Sequence, residues 1–90
     1  MSHTVRDKNQ LLARVRRIRG QLEAAERQLQ QEEDCDTVLL TVSAARGAIN
    51  GLMAQIIEGH IRDHVADPDR PGEKARATQL LIDVVKRYLK

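Results

Sequence analysis

The stretch CDTVLLTVSAARGAINGLMAQIIEGHIRDH, Cys35–His64, decides the fold. Within it Val38, Val42, Ala45, Ile49, Leu52 and Ile56 recur at alternating intervals of four and three, which draws one apolar stripe along an amphipathic helix. The mean spacing is that of a coiled coil. The pattern continues through His60 and His64. It stops before Asp67-Pro68-Asp69-Arg70-Pro71-Gly72, where two prolines and a glycine mark a loop.

Upstream, Gln31-Glu32-Glu33-Asp34 interrupts the periodicity, and Asp34 is placed to cap the helix that follows. Before that interruption Leu11, Val15, Ile18, Leu22, Ala25 and Leu29 repeat the same spacing, with Thr4 as the expected N-cap. Downstream, Ala77, Leu81, Val84 and Tyr88 form a third stripe, and Lys86, Arg87 and Lys90 suit the negative end of its dipole. The sequence therefore predicts an all-α protomer with helices over about residues 5–31, 35–66 and 73–89 of a single domain, 1–90. A long antiparallel hairpin would carry a short C-terminal helix. Thirty residues of helix span roughly 45 Å, more than a short third helix covers. The open seam predicts a second copy, a four-helix core in the dimer, and assembly of dimers.

Composition points the same way. There is no Phe or Trp and only one Tyr, so 90 residues must build a core from Leu, Val, Ile and Ala, which favours sharing it between copies. A single cysteine excludes an intrachain disulfide and reads as a thiol in a reducing, cytoplasmic setting. No apolar run reads as a signal peptide or membrane span, so no membrane partner is expected.

His3, Cys35, His60 and His64 are every histidine and cysteine of the chain. Cys35, His60 and His64 fall within about 40° on a helical projection, and His60 and His64 stand at i and i+4, where two imidazoles can reach one ion. Imidazole with thiolate suits nickel, cobalt and zinc better than magnesium or calcium. On one helix Cys35 and His60 lie roughly 37 Å apart, so they cannot share an ion within a chain. An antiparallel dimer removes the difficulty by setting Cys35 of one protomer opposite His60 and His64 of its partner. The hairpin returns the N-terminus to the same end, so His3 can join, as can the α-amine of Ser2 once Met1 is removed. Taken singly, the histidine pair also fits a solvated surface, and the cysteine a small half-buried residue.

Arg6, Lys8, Arg14, Arg16, Arg17, Arg19 and Arg27 load the first helix with positive charge, and Arg6, Arg14 and Arg17 share one side of it with Gln10 and Gln21. Such a face can neutralise DNA phosphates. It fits equally well a solvated face paired with Glu23, Glu26, Glu32 and Glu33. No helix-turn-helix is recognisable, and no base–nucleophile arrangement points to an enzyme.

Arg14-Val15-Arg16-Arg17-Ile18-Arg19-Gly20-Gln21, Arg46-Gly47-Ala48-Ile49-Asn50-Gly51-Leu52-Met53 and Tyr88-Leu89-Lys90, in this order, resemble the CsoR/RcnR/FrmR repressors over essentially the whole chain. The resemblance implies a three-helix protomer and a homotetramer of two dimers. It also implies binding of double-stranded operator DNA in the absence of inducer, and release when the inducer binds. It points to Arg14 and Arg17 as DNA contacts, with Arg16, Gln21 and Lys8 beside them. The opening Met1-Ser2-His3-Thr4-Val5-Arg6-Asp7-Lys8 with Cys35, His60 and His64 is similar to the nickel/cobalt branch, zinc being possible in vitro. His64 stands where copper sensors resemble a second cysteine, and Ser2 where formaldehyde sensors have proline. The expectation is a repressor released by nickel or cobalt, controlling a metal efflux gene. The alternatives are a formaldehyde-responsive repressor of the same family, and a helical adaptor or storage protein without a DNA role.

Overall fold

A computed structural model describes His3–Leu89, and the chain is all-α: among these residues there is no strand. The helices are α1 (His3–Arg6), α2 (Lys8–Gln30), α3 (Cys35–His60) and α4 (Glu73–Tyr88). A π-helical turn, Ile61–Ala66, follows α3 directly. The first helix expected from the periodicity is thus divided at Asp7, and Thr4 lies inside α1 rather than capping it.

The α2–α3 connection is made by backbone geometry. Glu33 N–H donates to Gln28 O at 3.0 Å and Glu32 N–H to Leu29 O at 3.2 Å, the paired bonds of a Schellman ending. The residue that must turn left-handed is Glu32, at φ 54°, where glycine is usual. Asp34 then caps α3: its Oδ1 accepts Thr37 N–H at 2.8 Å, and this bond holds the Asp34 carboxyl below its ordinary value.

The chain forms two compact units, Asp7–Ala54 and Met1–Arg6 with Gln55–Lys90. In the first, Ile18, Ala25 and Ala45 are buried, whereas Val15, Leu22, Leu29, Val42 and Ile49 of the same stripes are exposed. Two helices cover one another along a line, so the flanks of each stripe stay in contact with water. In the second unit α4 lies against the π-helical turn, and Ala77, Glu73, His3 and Gly59 are buried.

Two sequence expectations are corrected here. The helix expected to run unbroken to residue 66 changes at His60 from α to π, where N–H groups bond five residues back and a residue is accommodated extra to the α repeat. In that turn lie Asp63, which meets Arg6 of α1, and His64, which meets Glu73 of α4. Secondly, the helical run Cys35–Ala66, with a mean hydropathy of 1.2 over its apolar window, is long and apolar enough to cross a membrane by length and composition. The interrupting charges are few and the stripe is wide, although polar residues divide it into short apolar runs in the sequence. The central helix of a soluble helical protein meets the same criterion.

Candidate metal centre

His3, His60 and His64 come together in one unit. His3 opens α1, His60 closes α3 and His64 sits in the π-helical turn. Their ligand atoms all lie within 4.8 Å of one another. The His64 ring stands 5.3 Å from that of His60 and 5.8 Å from that of His3, centroid to centroid. His3 is buried, and the other two are partly exposed. A cleft lined by Arg70, Arg76, Ala77 and Leu80 opens onto His60 and His64.

The second partners of two rings fix which nitrogen keeps its lone pair. His60 Nε2 lies 3.1 Å from Ala77 O. A carbonyl only accepts, so Nε2 carries the proton and the Nδ1 lone pair is left for a ligand. His64 Nδ1 donates to Glu73 Oε1 at 2.6 Å, which leaves its Nε2 lone pair. A carboxylate behind an imidazole that faces an ion is a recurring way to hold the ring's tautomer and raise its basicity. Glu73 is held in turn: its Oε2 accepts the backbone N–H of Asp69 at 2.6 Å and of Arg70 at 3.1 Å. The His64 bond first, and these backbone bonds after it, lower the Glu73 carboxyl to about 2.

The arm that carries His3 is tied down at Asp63. Arg6 donates to Asp63 Oδ2 at 2.9 Å, and the His3 backbone N–H also bonds this carboxylate. Desolvation would raise Asp63, but the Arg6 bond and the charges of Arg6 and His3 outweigh it, leaving the carboxyl below its ordinary value. Behind His3, α3 presents the bare backbone of Gly59.

Three imidazoles, two of them held in a set tautomer, fit a borderline divalent ion. Cys35, exposed at the start of α3, belongs to the other unit and is not one of the clustered residues. Ser2, expected to offer its amine, lies outside the described residues.

On the first unit Arg14, Arg17 and Ala48 line a pocket, and the Arg14 guanidinium lies across α3 at Gly51. Arg16 and Lys8 are exposed. Gln21, expected on the same face, is half-buried, and its side-chain oxygen is buried without a hydrogen-bond partner among the described residues.

Sequence reasoning missed Glu73, Asp63 and Gly59. An acidic residue in the first turn of a helix already suits the dipole, so Glu73 gave no separate signal. Its nine-residue separation from His64 crosses a loop whose path no periodicity predicts.

Known proteins supply a comparison. Residues 7–87 match the family described as metal-sensitive transcriptional repressor. Over their whole lengths, the chain is 50% identical to an uncharacterized protein in the bioA 5' region of Serratia marcescens and 37% identical to the transcriptional repressor RcnR of Salmonella paratyphi B. Among solved structures, a variant of the formaldehyde-responsive regulator FrmR from Salmonella enterica serovar Typhimurium superposes with a TM-score of 0.82 at 40% identity. The match covers 92% of this chain and 94% of that one.

Proposed function

Because the chain belongs to the metal-sensitive transcriptional repressors, which are not enzymes, we propose that it binds operator DNA when metal-free and releases it on binding nickel or cobalt. The observation that carries this reading is the His3–His60–His64 cluster with its two oriented imidazoles. The site takes Cys35 from a second copy, and the Ser2 amine can complete it. Zinc can occupy the same donors in vitro. A bound divalent ion supplies the free energy that ties α1, the π-helical turn and the partner's α3 together. The switch needs that set of contacts to be stronger in the DNA-free state than in the DNA-bound one.

The DNA face is Arg14 and Arg17, flanked by Arg16, Lys8 and Gln21. The exposed apolar flanks of α2 and α3 support a dimer that assembles to a homotetramer, as a single 1–90 domain in the cytoplasm away from any membrane. The regulated gene is a metal exporter. An electrophoretic shift assay on the DNA upstream of the protein's own gene tests the reading. Metal-free protein should form a specific complex at moderate salt, and nickel or cobalt should dissolve it. Absence of a specific complex contradicts a repressor, and a complex indifferent to both metals contradicts the inducer.

A second reading is favoured by the FrmR neighbour, whose 40% identity to this chain is close to the 37% of the RcnR relatives. Formaldehyde would then be the inducer. The Cys35 thiol and the Ser2 amine would be joined by a methylene bridge, with loss of one water. Mass spectrometry after formaldehyde treatment decides: a stable bridge between Ser2 and Cys35 replaces the metal reading.

A further inference from the structure

We infer that Gly59 is a specificity-determining position of this centre: the absence of a side chain there is what admits His3 as the third imidazole. The inference rests on the reading of His3, His60 and His64 as a metal site. Gly59 lies in the last turn of α3, one residue before His60, and is buried. A Cβ added to it would stand 2.5 Å from His3 Cγ and 3.0 Å from His3 Cβ, and would overlap Nδ1. The clash falls on the root of the His3 side chain as well as its ring. Turning the ring about χ2 cannot relieve it, so either χ1 changes, which carries the ring away from His60 and His64, or the backbone of α1 moves. That backbone is held, because Asp63 bonds both the His3 N–H and the Arg6 guanidinium.

Other glycines of the helices behave differently. A Cβ at Gly20 or Gly47 would meet nothing within 4 Å. Glycine is a poor residue for a helix interior, and at Gly59, unlike at Gly20 and Gly47, a side chain would displace a neighbour, His3. With any larger residue at this position the chain would offer two imidazoles instead of three. Ions that demand more nitrogen donors, nickel and cobalt among them, would lose most from that change.

The test is a cycle of Gly59→Ala, His3→Ala and the double variant, titrated with cobalt(II) and followed by absorption. The same proteins are melted in the metal-free state. Gly59→Ala should weaken cobalt binding by the same factor as His3→Ala, at least tenfold, with superimposable d–d bands, and the double variant should lose nothing more. In the melts, Gly59→Ala should raise the midpoint in the His3→Ala background, where alanine is simply the better helix former, and should lower it when His3 is present. If His3→Ala weakens binding while Gly59→Ala does not, the inference is wrong and the metal site stands. If His3→Ala binds cobalt like the parent, the metal reading of His3 fails, and the melts alone decide about Gly59. An equal alanine gain in both backgrounds overturns the inference. So does a failure to fold in both, since something other than His3 would then occupy the space.

Discussion

Glu73 Oε1 accepts a hydrogen bond from His64 Nδ1–H at 2.6 Å, and the other oxygen of the same carboxylate ties down the backbone of Asp69 and Arg70. One side chain thus orients an imidazole and orders the loop that leads into α4. Removing it with Glu73→Ala should reduce metal affinity by about 10–100-fold, the usual cost of losing an outer partner of a metal-binding histidine. Glu73→Gln should fall between, because its amide oxygen can accept from His64 while its NH2 group cannot accept from Asp69 or Arg70. Competition titration against a chelator of known affinity measures both. Equal affinity for Glu73→Ala and the parent protein would show that His64 is not held this way when an ion binds.

The same carboxylate makes metal-free stability depend on acid. Its pKa is lowered from 4.5 to about 2 in the folded chain, so protons bind the unfolded state more readily. Its contribution is complete above pH 4.5 and is lost as the pH falls from 4.5 towards 2. Thermal midpoints followed across that window should drop more steeply for the parent than for Glu73→Gln, which has no proton to take up at this position. Parallel curves would mean that the bonds of this carboxylate to His64, Asp69 and Arg70 together contribute nothing to folding.

The three long helices are legible in the sequence because each carries a stripe that only a helical period explains, Val38 to Ile56 most plainly. Asp34 is legible as a cap because a cap acts on a neighbour three residues away. The convergence of His3 with His60 and His64 follows from the hairpin and the length of α3. What escapes is set by contacts that have no period. The π-helical turn changes the register between His60 and Ala66 with no proline or glycine inside it. Glu73 reaches His64 only through the loop path, and Gly59 matters for what lies against it, which its own neighbours in the chain do not record.

Glu32 offers a prediction of opposite sign. It holds φ 54° at the left-handed position of the Schellman ending, where a Cβ is strained and glycine is not. Glu32→Gly should therefore stabilise the protein, by about 0.5–1 kcal/mol after the added freedom of the unfolded chain is offset. Chemical denaturation should show the midpoint rising with an unchanged slope. A fall in the midpoint would mean that the Glu32 side chain contributes more to the turn than its backbone costs.

Asp63 and Arg6 hold the arm that brings His3 to the centre, across 2.9 Å. Asp63→Asn removes the charge and keeps the shape, so the arm should loosen without the site being emptied of ligands. Metal affinity should drop a few-fold, less than for His3→Ala, and the His3 ring signals in the metal-free NMR spectrum should move towards those of an exposed histidine. A loss larger than that of His3→Ala would make Asp63 a ligand in its own right instead of a tether.

Sharing of the site between protomers can be tested by complementation. Helical rise sets Cys35 roughly 37 Å from His60 along one α3, which is uninterrupted between them, so a common ion requires two chains. Cys35→Ala and His64→Ala proteins should each lack a tight site, since each removes one donor from both equivalent positions of a two-fold dimer. That loss is expected of any ligand and says nothing about sharing. Mixed and allowed to exchange, the two variants form heterodimers in which one interface joins an intact Cys35 to an intact His64, and the other joins both substitutions. One tight site should therefore return for every heterodimer, visible as recovered thiolate-to-metal charge transfer in the near ultraviolet. Mass spectrometry of the intact dimer establishes that exchange has occurred. If heterodimers are present and no thiolate band returns, Cys35 does not reach the histidine cluster of the partner, and the thiol must be removed from the ligand set.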